Sequence, residues 1–387
     1  MPSPGSTPKT TLQPPSASAS ATVTDEPPTR PRYHRVLSST CSMHIDHDVA
    51  LAPLTTLGVG GPAKRLARVT TVDELREALS VSGSEPVLVL GGGSNLVVGD
   101  AGFPGLVIEL ALPGVAIEFD GDHALVTAGA GVVWDDFVAQ VIAAGLSGVE
   151  ALSGIPGLVG ATPIQNVGAY GQEVADTITR VRVLDRQTGT VEDLPPSACG
   201  FAYRASIFKG HDRWVVVEVA FRLARRPESS PLRYAELCRA LGIAEGDRAP
   251  LAKVRDTVIA LRRGKGMVLD PEDPESRSAG SFFTNPIVDA AQLAAVEARL
   301  PPGTTMPRFP ASDGHTKLAA AWLIERAGFT KGYTVGNVGI SKKHALALVN
   351  RGGATAGELL ALAREIQDGV RTRLGVELHP EPVLVGV

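Results

Sequence analysis

The sequence predicts an α+β protein of more than one domain, and three observations carry that expectation. Apolar residues alternate at period two over Ile178–Asp185 and Trp214–Leu223, the pattern of half-buried strands. The compact apolar run Val87-Leu-Val-Leu90 ends in Gly91-Gly-Gly93, as a strand does before a tight loop. Capping pairs, Thr71 with Glu74 and Thr355 with Glu358, stand at the head of helix-forming segments. A chain of 387 residues is long enough for two or three domains.

In chain order, the first forty or so residues are rich in Pro, Ser and Thr and hold no apolar run, so residues 1–44 are expected to be a disordered tail. The tail has no secretory h-region, and no apolar run anywhere is long enough to span a bilayer, which makes the cytoplasm the expected location. Order is expected from about Ile45. A short helix follows over Asp73–Ser80, then strands at Val87–Leu90 and Leu106–Leu110. Two more strands turn at Asp120-Gly-Asp122, and a helix covers Trp134–Gly145. Ile178–Asp185 and Trp214–Leu223 read as strands with a hairpin-like turn between them. Arg225–Pro231 reads as a linker.

The second half is more helical. Leu251–Arg263 is one predicted helix. Pro286 is placed to open another across residues 287–299, because its missing N–H is not needed there. Lys317–Gly328 is read as a helix with Leu318, Trp322 and Leu323 as core. The helix after Thr355 carries Leu359, Leu362, Ile366, Val370 and Leu374 on one stripe, and Val383–Val387 is a last strand. The domain expectation is residues 45–228 and residues 229–387, with the last strand returning to the first of these.

Composition excludes several functions. With 44% hydrophobic and 20% charged residues the chain is an ordinary globular one. A net charge of −4 gives no general basic face for nucleic acid, and aromatics at 5% give no base-stacking platform. Cys41, Cys199 and Cys238 lack any CxxC spacing, and the histidines lack ligand spacing, so neither a disulfide framework nor a metal site is expected. Glycine, at 42 residues, is abundant and clustered, which suits close backbone contact with a ligand.

Six segments carry candidate chemistry. Ser278-Ala-Gly-Ser-Phe-Phe-Thr-Asn-Pro286 offers the Ser281 hydroxyl and the Asn285 amide in a small-residue loop. Gly91-Gly-Gly-Ser-Asn95 after a strand suits a pyrophosphate, although it matches neither the Rossmann fingerprint nor the Walker loop. The loop over residues 153–171 is long, glycine-rich and apolar, able to wrap a planar cofactor or to stand as an Ω-loop by itself. Arg204 lies among apolar neighbours in residues 199–209 and needs either a buried acceptor or a ligand. Arg262-Arg-Gly-Lys-Gly266 is a basic cluster at a helix end, suited to the helix dipole or to substrate phosphates. Glu381 is fixed between Pro380 and Pro382.

Together with Thr56-Leu-Gly-Val-Gly-Gly61, these segments resemble the UDP-N-acetylenolpyruvoylglucosamine reductase family over roughly residues 45–387. The resemblance implies a vanillyl-alcohol-oxidase-type (PCMH-type) FAD-binding domain of two subdomains and a C-terminal α+β substrate-binding domain. It implies non-covalent FAD, NADPH as reductant, and a UDP-sugar enolpyruvyl ether as substrate, with no nucleic acid or membrane partner and a monomeric state. Arg204, Ser281 and Glu381 fall on the family's catalytic positions. The cofactor positions implied are Gly58, Gly60, Gly91, Gly92, Gly93, Ser94, Asn95, Leu96, Gly154, Ile155, Pro156, Gly157, Gly160, Ala161, Gln165, Asn166, Gly168, Ala169, Tyr170 and Gly171. Lys265 and Asn285 match substrate-holding positions, as do Tyr234 and His344 in more generic surroundings.

By this resemblance Arg204 stabilises the enolate that develops when the vinyl group is reduced, aided by Glu381 if protonated, and Ser281 gives a proton to C2. Two other readings remain open at this point. One is a flavin oxidase on the same type of fold, which an enolate-protonating set of side chains disfavours. The other is a non-catalytic flavin- or UDP-sugar-binding regulator, which replacement of Ser281 or Arg204 would have favoured.

Overall fold

The computed structural model describes residues 43–387, which form one unit by contact; the tail expected over residues 1–44 falls almost wholly outside the described residues. The architecture is α+β. A first sheet runs in the order Ile45–Ala50, Pro62–Val69, Phe103–Leu110, Val87–Leu90, with an antiparallel edge and a parallel interior. A second, antiparallel sheet runs Val191–Leu194, Ile178–Asp185, Trp214–Arg225, His123–Gly129, Val115–Asp120. Trp214–Arg225, read as a half-buried alternating strand, is instead covered on both faces: Val215, Val216, Val217, Val219, Ala220 and Phe221 are all buried, because it lies between strands in the middle of the sheet with a core on each side. Along His123–Gly129 burial does alternate, with Ala124, Val126 and Ala128 buried while Leu125 is exposed.

The two sheets share a core. Val69, Leu106 and Ile108 of the first meet Leu184, Val215 and Val217 of the second, with Leu75 and Ala78 from the helix Val72–Ser82. On another face of the second sheet, Trp134 and Phe137 of the helix Trp134–Ala143 pack on Phe221, with ring centroids 4.9–6.0 Å apart. The helices Ala235–Leu241 and Leu251–Gly264 bury Leu237, Cys238, Leu241, Val254 and Val258 in a smaller core of their own. The C-terminal region builds on the helix Ala356–Leu374. Its stripe of Leu359, Leu362, Ile366, Val370 and Leu374 is buried against Leu318, Leu323, Phe282, Phe283 and Ile340.

Four expectations need correction. The segment after Pro286 begins as a strand, Ile287–Val288, paired with Thr316–Lys317; its helix starts only at Ala290, because Asp289 forms a capping box with Gln292. Lys317–Gly328 likewise splits into the strand Thr316–Leu318 and the helix Ala320–Arg326, although Leu318 and Leu323 are buried as expected. No simple turn joins Ile178–Asp185 to Trp214–Arg225. The strand Val191–Leu194 and the loop bearing Arg204 come between, and the two long strands pair across them. Arg225–Pro231 is no loose linker, since Ser229 is fully buried and the Ser230 N–H donates to the Glu150 carboxylate at 2.9 Å.

Among the contacts that clamp the two halves of the chain together, three are backbone or buried polar ties near the glycine loop and the C-terminal helix. Asp100 accepts from the amides of Ala356 and Gly357 at 2.7 and 2.9 Å, placing a carboxylate at the positive end of the longest helix. The final strand Val383–Val385 pairs in parallel with Leu96–Val98, directly after the Gly91–Asn95 loop. Buried Asn350 donates to the carbonyls of Leu57 and Gly58 and accepts from the amides of Gly352 and Ala354. Asn350→Ala strips partners from all four groups. It should lower unfolding stability by about 1–3 kcal/mol, the cost of stranding buried polar groups, read as a shift in the denaturant midpoint.

Candidate active site

A cleft with about 1460 Å³ of atom-free space, part of it open to solvent, lies where the glycine loops, the Arg204 loop and the two C-terminal segments converge. One wall is Gly91–Leu96 and a second is Ile155–Leu158 with Ala161, Gln165 and Gly168. The two walls touch through glycine. A Cβ on Gly92 would come within 3.0 Å of Gly157 Cα, and one on Gly157, at φ +121°, within 2.8 Å of Ser94 Oγ. Side-chain bonds lock the contact: Ser94 Oγ donates to Pro156 O at 3.1 Å, and Asn95 Nδ2 to Gln165 Oε1 at 2.9 Å. Among the described residues, the amides of Gly92, Gly93, Ser94 and Asn95 have no acceptor. Four such N–H groups in succession form a concave donor set suited to an anion. The residues present therefore fit the pyrophosphate of a dinucleotide.

A third part of the lining, joined to the glycine loop by Val383 N–H donating to Asn95 O, is built by strand pairing between distant segments. Glu381 N–H donates to Phe282 O at 2.9 Å, Thr284 N–H donates to His379 O at 3.0 Å, and Phe283 bridges Pro380. Phe282 and Phe283 are sunk in the C-terminal core, which fixes this register. Ser281 is the last residue before that anchor and Gly280, at φ +72°, turns the chain into it. Ser281 thus lines the cleft beside Glu381, and its hydroxyl makes no hydrogen bond with the described residues.

Arg204 faces Glu381 from the second sheet's side, with Nε 3.2 Å from Oε1. Its remaining nitrogens donate to the carbonyls of Gly168 and Asn166 at 2.7 and 3.4 Å, so the acceptor that its apolar neighbours called for is a carboxylate plus backbone. Burial pushes the Glu381 carboxyl above the usual carboxylate range, opposed by Arg204 and Lys209. Asn285 stands close by. Its Oδ1 accepts from the Ala320 amide at 2.9 Å, at the head of the helix Ala320–Arg326, and it lies near Tyr203.

A second cluster lies off this cleft. Tyr170 meets Tyr234 edge-on at 5.4 Å, the Lys265 ammonium sits 5.4 Å from the Tyr170 ring centroid, and Lys265 pairs with Glu236 at 2.6 Å. His344 is near enough to feel Lys265, Lys331, Arg262 and Glu236. The structure thus gathers Tyr234, Lys265 and His344 around Tyr170 and sets Asn285 apart, next to Tyr203.

Some of the residues proposed for the cofactor support the cleft without lining it. Gly60, at φ +131°, packs on Val98, and Gly58, at φ +65°, sits over Asn350. Gly160 allows close approach to Ala130. Asn166 is buried, bonded to Glu173, Ala202 and Ala175. Gly154 accepts from Arg262, while Ala169, Tyr170 and Gly171 belong to the small hairpin Gly168–Ala169 and Gln172–Glu173.

Sequence reasoning missed Lys209 and undervalued Arg262, and both line the cleft. Arg262 is nearly fully buried, donates to the carbonyls of Gly154 and Met267, and is pushed down to about 10 by burial. A signal existed: the helix Leu251–Gly264 buries Leu251, Val254 and Val258, and Arg262 continues that stripe four residues on.

Two family models match the chain: an FAD binding domain over residues 63–195, and UDP-N-acetylenolpyruvoylglucosamine reductase, C-terminal domain, over residues 272–385. A UDP-N-acetylenolpyruvoylglucosamine reductase from Thermobifida fusca is 56% identical over 347 residues, spanning 88% of this chain and 98% of that protein. One from Salinispora arenicola is 53% identical over 356 residues, spanning 90% and 98%. The crystal structure of UDP-N-acetylenolpyruvylglucosamine reductase from Thermus caldophilus superposes with a TM-score of 0.62 at 30% identity, covering 89% of this chain and 99% of that one.

The cluster around His344 generates a pH prediction. Burial first, and then the cations Lys265 and Lys331, push this histidine down to about 4 from 6.5. The folded state then binds fewer protons than the unfolded state between these values. The stability it contributes is complete above the unfolded pKa and is lost as pH falls toward 4. His344→Gln should flatten this part of the stability–pH curve, by up to about 3 kcal/mol, when denaturant midpoints are compared at pH 7 and pH 4.

Proposed function

The chain belongs to the UDP-N-acetylenolpyruvoylglucosamine reductase family, FAD-dependent oxidoreductases of peptidoglycan precursor synthesis, and from that premise we propose the full reaction. NADPH is the reductant, and UDP-N-acetyl-3-O-(1-carboxyvinyl)-glucosamine is reduced to UDP-N-acetylmuramate. Residues 45–228 hold the FAD, non-covalently, and residues 229–387 bind substrate. The enzyme works as a monomer in the cytoplasm, where the nucleotide-linked sugar and NADPH are found.

The observation that supports this reading best is the convergence of Arg204, Glu381 and Ser281 in one cleft that a glycine cradle also lines. Bound FAD supplies the hydride-transfer chemistry between reductant and substrate. The Gly92–Asn95 amides and the residue 155–168 wall hold its pyrophosphate and its ring system.

The chain's own groups handle charge and protons. Reduction of a vinyl group conjugated to a carboxylate builds negative charge at C2 and on the carboxylate oxygens. Arg204 spends three bonds on Glu381, Gly168 and Asn166, and a guanidinium has five N–H donors. The remaining donors bind the substrate carboxylate, where a fixed cation in a partly dry site stabilises the developing charge. Glu381, pushed up by burial and drawn down by Arg204 and Lys209, stands beside the same charge, and its protonation is set by that balance. Ser281, with its hydroxyl unspent, delivers the proton to C2. Serine can do so because the carbon it meets is strongly basic. Tyr234, Lys265, Asn285 and His344 hold the UDP-sugar.

Ser281→Ala separates the two halves of the reaction. The purified variant should be yellow and release FAD on mild denaturation. NADPH should reduce its flavin at close to the wild-type rate. Reoxidation by the enolpyruvyl ether should slow by roughly 10²–10⁴-fold, the usual contribution of a positioned general acid. Rapid-mixing flavin absorbance follows each step alone. Equal slowing of both would make Ser281 a structural residue.

A further inference from the structure

We propose that Lys209 is a positioning residue for this reaction: it braces the turn that presents Arg204 and supplies the second cation acting on Glu381. The inference rests on the roles proposed above for Arg204 and Glu381.

The turn itself needs bracing. Ala202 and Ala205 exchange backbone hydrogen bonds at 3.1 Å each, which leaves Tyr203 and Arg204 as the two central residues of a tight turn. Arg204 has φ +53°. The second central position with positive φ is where type II turns use glycine or asparagine. A bulky side chain is held in that region only where its surroundings over-determine it. Part of the support is on the side chain, through Glu381, Gly168 and Asn166. On the backbone it comes from Lys209, whose Nζ donates to the Arg204 carbonyl at 3.2 Å. Lys209 can reach because the chain between is pinned. Ser206 Oγ donates to Ile164 O, the Ile207 amide donates to Cys199 O, and Phe208 is buried.

The charge is the second part of the argument. Lys209 lines the cleft, and among the described residues no carboxylate pairs with it directly. Burial lowers its own pKa, so the site bears a cost for keeping an ammonium there. A lysine serving only to fill space would point its head to water. The groups that face Glu381 are Arg204, Lys209 and Tyr203 from the residue 199–209 loop, Asn95 from the glycine loop, and Ser281 beside it in the cleft. Of these only Arg204 and Lys209 are cationic, and Lys209 is the second of the two, after Arg204, that oppose burial of the carboxyl.

The test uses the FAD-loaded full chain. Lys209→Met removes donor and charge, Lys209→Gln keeps a donor, and Lys209→Arg keeps both. In the Met variant, reoxidation by the enolpyruvyl ether should slow by roughly 10–100-fold, the worth of a hydrogen bond to a charged group. Reduction by NADPH should change less than about threefold. A nearby cation favours the ionised carboxyl, so its loss raises the pKa of Glu381. The limb of the reoxidation pH profile that follows Glu381 should therefore move to higher pH in both the Met and Gln variants. Lys209→Arg should restore the profile and most of the rate.

Equal slowing of both half-reactions, an unshifted limb, or an arginine variant no better than methionine would overturn the proposal. Should the Met variant not fold, the Gln variant carries the same charge test. Arg204→Lys and Glu381→Gln, measured alongside, separate the two levels. If they slow reoxidation while Lys209→Met does not, this inference alone fails. If neither slows it, the assignment of Arg204 and Glu381 fails and takes Lys209 with it.

Discussion

The register between Phe282–Thr284 and His379–Glu381 is the constraint on which the site depends. Two backbone hydrogen bonds and one bridge join segments about a hundred residues apart in the chain. Phe282 and Phe283 make that register hard to change, because a slip by one residue would turn a core aromatic toward the cleft. Everything on that wall follows from it. Ser281 is presented just before the anchor, Glu381 just opposite, and Val383–Val385 is sent on to pair with Leu96–Val98. The glycine cradle and the acid–hydroxyl pair are thus parts of one hydrogen-bonded framework. Thr56, donating to Ser278 O at 2.7 Å, ties the same loop to the N-terminal half.

Charge decides what such a cleft can hold. Arg204, Lys209 and Arg262 line it, and Glu381 is the one carboxylate among its lining residues. The chain as a whole is acidic, so this local excess of positive charge is built, not inherited from composition. Burial makes each of these charges costly, and each is met by specific partners: carbonyls for Arg262, carbonyls and Glu381 for Arg204, and the turn carbonyl for Lys209. Sites that must bind phosphates and a carboxylate need such preorganised cations, because fixed donors need no reorganisation when charge develops.

The cluster of Tyr170, Tyr234, Glu236, Lys265 and His344 has a different character. It is assembled from the residue 153–171 loop, the helices Ala235–Leu241 and Leu251–Gly264, and a loop of the C-terminal region. The two helices carry their own small core, which takes in Ala151 and packs on Tyr170, and Arg255 and Arg262 bond from the second helix to Asp135 and the Gly154 carbonyl. Burial pushes the Tyr170 hydroxyl up to about 12, which keeps it a neutral hydrogen-bonding group throughout the physiological range.

The sequence by itself determined what local rules and short motifs encode. The apolar patterns at Ile178–Asp185 and Trp214–Leu223 and the turn at Asp120-Gly-Asp122 placed four strands of the second sheet, capping pairs placed the helices Val72–Ser82 and Ala356–Leu374, and the apolar stripe after Thr355 is the buried one. The glycine loops and the segments around Arg204, Ser281 and Glu381 were legible because their residue types are unusual for plain turns. The tertiary structure decided which of these meet. It split the glycine-loop residues into those that line the cleft and those that let its walls approach, because a glycine needed for close packing looks the same in sequence as one needed for a ligand. It also decided the fate of Pro286, since Ile287–Val288 pairs with a strand about thirty residues on and local propensity carries no information about that partner. Lys209 was invisible for the same reason. Its meaning lies in a bond to a strained turn and in a carboxylate far along the chain, and only the folded chain brings those to it.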